Sequence, residues 1–189
     1  VDQPKPPSEA RQRILETADR LFYQNGIRAV GVDRVIAEAG VAKMTLYAHF
    51  PSKDDLIVAV LRRREDTLRE FVRAAMERHG KRSKDKLRAF FAALKELCAS
   101  EGFRGCPFQN ALAELADPDH PGVVFVREQK RRFAETIRGL VEEVAGKSGA
   151  KMAPAVVTLV EGAIVNAVIH GRPEEADVAR DAAIRLLDL

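Results

Sequence analysis

The fold is decided by residues 32–50, Val-Asp-Arg-Val-Ile-Ala-Glu-Ala-Gly-Val-Ala-Lys-Met-Thr-Leu-Tyr-Ala-His-Phe. Apolar side chains at Val32, Val35, Ile36 and Ala39 recur at helical spacing up to Gly40, and the pattern resumes at Leu46 and Phe50. That spacing predicts two short helices around a tight turn. Gly40 can adopt the left-handed backbone that ends the first helix, because it has no Cβ to clash, and Val41 can tuck under both helices. With Leu46 and Phe50 facing inward, Lys43, Met44, Thr45, Tyr47 and His49 face outward. Such a cationic, hydrogen-bonding helix suits the major groove of DNA.

Upstream, Ser8 is a good N-cap, Glu9 sits at the positive end of the following helix dipole, and Ile14, Ala18, Leu21 and Phe22 form an amphipathic stripe ending at Asn25-Gly26. A first helix packed on the two-helix unit makes a DNA-binding domain of residues 8–50. The preceding residues, Val1 to Pro7, hold three prolines and read as a disordered arm.

Downstream, Pro51 breaks the chain and Ser52-Lys53-Asp54-Asp55 reads as a capping box. Neither proline nor glycine then interrupts before Gly80, and Ile57, Val60, Leu61, Leu68, Phe71, Val72 and Ala75 mark one face of a long helix. Its Arg62-Arg63-Arg64 run and the cluster Lys81, Arg82, Lys84 and Lys86 read as a solvated face and a charged loop. Further helices are expected over 83–100, 107–116, 122–145, 154–170 and from Pro173 on, with Gly- and Pro-containing breaks between them. No alternating strand pattern occurs. The fold class is all-α, a three-helix domain over 8–50 with a helix-turn-helix followed by a larger helical domain over 51–189.

The helix over 154–170 is apolar nearly all round, which in a water-soluble chain implies burial on more than one face. Gly162, Ala163, Ala167 and Gly171 permit close approach of another helix, and Val178, Ala179, Ala182, Ala183, Leu186 and Leu187 line the last helix. Gly162, Ala163, Ala167, Val178, Ala182 and Leu186 together read as a dimer surface, with a two-fold axis producing a four-helix interface; the alternative is that both helices simply close the core of the monomer.

The chain of 189 residues is 46% hydrophobic and 31% charged with a net charge of +3, an ordinary globular composition that permits nucleic-acid binding without requiring it. Two cysteines, Cys98 and Cys106, are too few for a disulfide framework and read as free thiols. No cationic segment leads into an apolar signal core, and the most apolar run, Ala155 to Ile169, is short for a membrane span and contains Glu161 and Asn166. The expected location is the cytoplasm, with no membrane partner. Enzyme signatures are missing: there is no Glu-x-x-His or His-x-x-x-His pair for a metal, and Gly146-Lys147-Ser148 lacks the earlier glycine of a phosphate-binding loop. Neither catalytic residues, a metal nor a cofactor is expected.

The run from Ala37 to Lys53, Ala-Glu-Ala-Gly-Val-Ala-Lys-Met-Thr-Leu-Tyr-Ala-His-Phe-Pro-Ser-Lys, resembles the DNA-binding domain of the TetR (tetracycline repressor) family of bacterial regulators over about Ile14 to Ala59. A second, shorter likeness is Gly105-Cys106-Pro107-Phe108-Gln109-Asn110. The resemblance implies that Lys43 to His49 form the recognition helix, that Tyr47, His49 and Lys53 hold phosphates, and that Lys43, Met44 and Thr45 lie at the base edges. Two positions depart from the family pattern. Gly31 and Ala42 replace the usual Ser or Thr caps, and Ala42 forfeits about 1 kcal/mol of helix stability.

The resemblance further implies a small-molecule pocket in the C-terminal helices. The bulky apolar candidates are Phe90, Phe91, Leu94, Phe108, Phe125 and Phe133, with Asn110, Glu114, Asn166 and His170 as polar anchors, so an apolar effector is expected. The implied activity is that of a homodimeric repressor on a palindromic double-stranded DNA operator, released by that effector. The alternative is a thiol-based redox sensor using Cys98 and Cys106, since Cys106 precedes a helix N-terminus that can favour its thiolate.

Overall fold

The computed structural model describes residues 8–79 and 85–189. Residues 1–7, read as an arm, and Lys81, Arg82 and Lys84 lie outside the described residues. Among those described there is no strand. The elements are α1 (Glu9–Asn25), α2 (Val32–Ala39), α3 (Lys43–His49), α4 (Lys53–His79), α5 (Lys86–Cys98), α6 (Pro107–Glu114), α7 (Pro121–Gly149), a 3-10 turn (Ala150–Met152), α8 (Ala153–His170) and α9 (Glu175–Leu186). Helix boundaries follow the punctuation of the sequence. Ser8 caps α1 by accepting from Arg11 N at 3.2 Å, and Ser52 accepts from Asp55 N at 3.0 Å while its hydroxyl donates to Asp55 Oδ2 at 2.6 Å. Gly146 has φ 72° and interrupts the helical backbone inside α7 where the Gly146–Gly149 break was expected.

Two compact units emerge, one running to Arg64 and including Pro107–Val126, the other comprising Glu65–Cys106 and Arg127–Leu189. Helices α4 and α7 each pass from one unit into the other. The first unit is larger than residues 8–50 because it takes in the start of α4 as far as Arg64 and the sequence-distant segment 107–126, which is bonded to it. Glu114 Oε2 accepts from Arg28 N at 2.9 Å, and His120 Nε2 lies 3.2 Å from Asp54 Oδ1 while Nδ1 accepts from Gly122 N at 2.9 Å. Gly122 sits so close to Leu115 and Ile57 that a Cβ there would fall 2.8 Å and 3.3 Å from their side chains. The arginine run is not simply a solvated face. Arg62 lies 5.6 Å above the Phe125 ring, Arg63 reaches Glu16, and Arg64 binds Asp19 and stacks 4.2 Å from the Tyr23 ring. Burial pushes the Asp19 carboxyl up from its ordinary value, and Arg64 opposes that shift.

In the second unit, Leu87, Phe90, Phe91 and Leu94 of α5 are buried, as are Ile137 and Val141 of α7, Val156, Val160, Ala163 and Ala167 of α8, and Ala176, Ala179 and Ala183 of α9. Glu65 receives Arg132 through both Nε and Nη2 at 3.0 and 2.9 Å, a bidentate pair that joins α4 to α7 within this unit. The segment Pro121–His170 contains an 18-residue window of mean hydropathy 1.8, apolar and long enough by composition to cross a membrane, of which 28% is buried. The exposed remainder of α8 is instead part of an outward apolar face described below.

The turn between α2 and α3 closes as its sequence requires. Gly40 takes φ 62°, ψ 43°, with its N–H on Ala37 O at 3.3 Å and that of Val41 on Ile36 O at 3.3 Å. Among the described residues nothing lies within 4 Å of a Cβ built on Gly40, so the cost of a side chain there is backbone strain. Gly40→Ala should lower the urea unfolding free energy by about 1–2 kcal/mol, and Gly40→Asn by less, because Asn tolerates the left-handed region. Equal stability of all three proteins would contradict this account of the turn.

Candidate nucleic-acid interface

Helix α3 has seven residues, too few to persist alone in water, and its N-cap Ala42 makes no side-chain bond. It is held by Leu46, fully buried, and by Phe50, whose ring also carries the Arg11 guanidinium at 5.2 Å. This anchoring leaves a definite outward face. Met44 is 79% exposed, an unusual position for a large apolar side chain, and Lys43 and Tyr47 are exposed beside it while Thr45 is half-buried. Lys43 Nζ lies 3.5 Å from Asp33 Oδ1 in the first turn of α2.

His49 and Lys53 are engaged within the protein. His49 Nε2 is 3.0 Å from Ser8 Oγ, so it ties the end of α3 to the cap of α1. Lys53 Nζ donates to Ile27 O at 2.7 Å and lies 5.9 Å from the Phe22 ring. Partial burial lowers the pKa of this ammonium from its ordinary value, with Asp54 and Glu114 opposing. Together Lys53 and Glu114 hold the α1–α2 turn, one through a carbonyl and the other through an N–H. A phosphate role for His49 and Lys53 therefore competes with bonds they already make. This surface also carries acidic partners. Glu38 accepts from Arg20 at 2.7 Å and from Arg34 at 2.9 Å, and the Arg20 bond, then the Arg34 bond, hold its carboxyl below the usual range. The i, i+4 spacing of Arg34 and Glu38 signalled one of those pairs; Arg20 and Asp33 required the tertiary fold.

The expected pocket residues are divided between the two units. Phe108, Asn110 and Phe125 belong to the first, and Phe90, Phe91, Leu94, Phe133 and Asn166 to the second. Asn110 and Glu114 meet Asp19, Tyr23 and Arg64 around a cavity of about 20 Å³ in the first unit, room for about one water. Phe90, Phe91 and Leu94 are core residues, and Phe133 is half-buried under Lys130, whose Nζ lies 5.7 Å from its ring. Asn166 is exposed on α8, contrary to an interior anchoring role, and His170 is exposed and bonded to Glu175 Oε1 at 3.0 Å. An interior polar residue that the sequence reading missed is Gln129. It is 8% exposed, and its Oε1 has no hydrogen-bond partner among the described residues. Its one sequence signal is its place in the stripe Val126, Gln129, Phe133, Ile137.

The dimer residues also separate. Ala163 and Ala167 are buried inside the second unit, Gly162 and Ala182 are half-buried, and Val178 and Leu186 are exposed. The outward apolar row of α8 is Val165, Val168 and Ile169, the last 67% exposed. Because α8 is apolar on every face, its sequence could not say which row would meet α5 and α9 and which would face out. Of the two thiols, Cys98 is pushed up to about 11 by burial, which keeps it neutral and removes support for a Cys98-based redox switch. Cys106 Sγ lies 3.4 Å from Lys130 Nζ, which donates to Glu161 Oε1 at 2.6 Å.

The geometry agrees with relatives found by sequence and by shape. The profile described as bacterial regulatory proteins, tetR family, matches residues 14–60, a span that covers α1 to α3 and the start of α4. The crystal structure of SCO4454, a TetR-family transcriptional regulator from Streptomyces coelicolor, is 36% identical, covers 95% of both chains and superposes with a TM-score of 0.87. The regulator LmrA of Bacillus subtilis is 28% identical over 164 residues, 83% of this chain and 85% of that protein. The transcriptional activator FasR of Mycolicibacterium smegmatis is 38% identical over 101 residues, 52% of this chain but 46% of its own length, so that match spans about half of the relative. With an all-helical fold, an outward α3 and a full-length relative on both counts, the chain belongs to the TetR family of transcriptional regulators and is a DNA-binding helix-turn-helix protein, not an enzyme.

Proposed function

We propose that the protein is a homodimeric repressor that reads a palindromic operator with α3 and leaves it when a small, mainly apolar effector binds. The observation that carries this reading is the outward face of α3, where an apolar Met44, a cation at Lys43 and a phenol at Tyr47 stand together on a helix fixed by Leu46 and Phe50. Lys43 supplies donors for guanine, the Met44 or Thr45 methyl suits a thymine methyl, and the Tyr47 hydroxyl suits a phosphate. The DNA-binding domain is residues 8–50 in function, although Glu114 and Lys53 brace it from outside that range.

Dimerisation uses the exposed apolar rows of α8 and α9. Val165, Val168 and Ile169 on the one, with Val178 and Leu186 on the other, form a surface that favours a second copy, and Gly162 and Ala182 lie on the same helices without bulk. Two copies would set two α3 helices about 34–36 Å apart, or a multiple of it, for successive major grooves. The effector is proposed to enter the second unit, where Phe90, Phe91 and Leu94 are packed in the core and must part to admit it, and where the buried Gln129 acceptor, unmet among the described residues, favours an apolar molecule carrying one hydrogen-bond donor. Continuity of α4 and α7 through both units supports coupling between effector and DNA, typically about 1–3 kcal/mol and equal in both directions.

Tyr47→Phe should weaken operator binding roughly ten- to a hundred-fold in fluorescence anisotropy, the value of a hydrogen bond to a charged group, with the urea midpoint unchanged. Lys53→Ala is a poorer test, since it also strips Ile27 O of its donor. Wild-type affinity in Tyr47→Phe and in Met44→Ala together would sink the assignment of α3. For the dimer, Val165→Glu combined with Ile169→Glu should sediment as a monomer with unchanged helical circular dichroism. A dimer persisting at micromolar concentration would overturn the placement of that interface.

A further inference from the structure

We infer that Asp33 is a specificity-determining residue of the DNA interface, acting through Lys43 by making phosphate an unfavourable partner for that lysine while leaving it available to guanine. The inference rests on α3 as the recognition helix. Asp33 lies in the first turn of α2 and Lys43 is the first residue of α3, with Nζ 3.5 Å from Oδ1. The side chains are 82% and 64% exposed, so the pair carries little desolvation cost and exchanges readily with a new partner. Lys43 also stands at the positive end of a helix whose cap residue supplies no acceptor, and the Asp33 carboxylate offsets that repulsion.

The two targets on DNA differ in charge. A phosphate carries a full negative charge, so a Lys43–phosphate contact would bring that anion beside the Asp33 carboxylate or require the pair to break. Guanine O6 and N7 are neutral acceptors. An ammonium has three N–H groups, and one spent on Asp33 leaves two for a guanine edge. Asp33 therefore taxes the contact that every sequence offers and spares the contact that only some sequences offer. The remaining lone pairs of Asp33 can accept from cytosine N4. This chemistry favours a G·C pair beneath the N-terminus of α3.

The test is a double-mutant cycle on a short random-sequence duplex, with Asp33→Asn, Lys43→Gln and both together, followed by anisotropy between about 50 and about 200 mM salt. Asp33→Asn should bind this non-specific DNA roughly two- to five-fold tighter, the range expected from releasing an exposed ion pair. Its log–log salt slope should steepen by about 0.9, one additional phosphate neutralised. Lys43→Gln and the double variant should be indistinguishable. Wild-type affinity and slope in Asp33→Asn would overturn the inference. Equal tightening with and without Lys43 would overturn it as well, because Asp33 would then repel DNA by itself. Both results leave the α3 assignment standing, since that falls only with the Tyr47 and Met44 variants. Unchanged urea midpoints establish that the variants are folded.

Discussion

Everything proposed for this surface depends on the burial of Leu46 and Phe50. A seven-residue helix without a side-chain cap has too few internal hydrogen bonds to offset its nucleation, and Ala42 forgoes about 1 kcal/mol that Ser or Thr would provide. Burying Leu46 and Phe50 contributes about 1.5–3 kcal/mol each, which outweighs the missing cap. The helix is thus held from below, by its apolar side. Its outer side carries no packing load, and Met44 there stands mostly in solvent.

The support under α3 extends further in sequence than a three-helix motif requires. Lys53 holds the carbonyl of Ile27, Glu114 holds the N–H of Arg28, and Ser8 links the cap of α1 to His49 at the end of α3. Two of these groups come from beyond residue 50. The turn that sets α2 against α1 is accordingly bonded to α6, and a displacement of α6 within this unit would be felt at that turn before any backbone has to unfold. Arg64 on Asp19 and Tyr23 fastens α4 to α1 in the same way.

The all-α class, the Gly40 turn, the Ser8 and Ser52 caps and the break at Gly146 were legible in the sequence, because each depends on local backbone chemistry or on periodicity over one or two turns. The face of α8 was not. A helix apolar nearly all round offers little periodic contrast, so nothing in its sequence marks Ala163 and Ala167 as packing inward rather than forming a dimer surface, or Asn166 as exposed rather than an interior anchor. Long-range polar partners were equally hidden. Nothing near Lys53 announces that Ile27 O will need it, and Gln129 resembles any other polar residue until its burial and its unmet acceptor are seen. Bulk alone does not separate Phe108 of one unit from Phe90 of the other.

The central claim is that two copies of α3 enter successive major grooves of one operator. Selection from a random duplex library, followed by methylation interference on the enriched sequence, measures this directly. The account predicts an inverted repeat whose half-sites are protected at guanine N7 in the major groove, centred about one helical turn, or a whole multiple of it, apart on the same face of the duplex. Enrichment of a single unrepeated site, or interference confined to the minor groove, would contradict it.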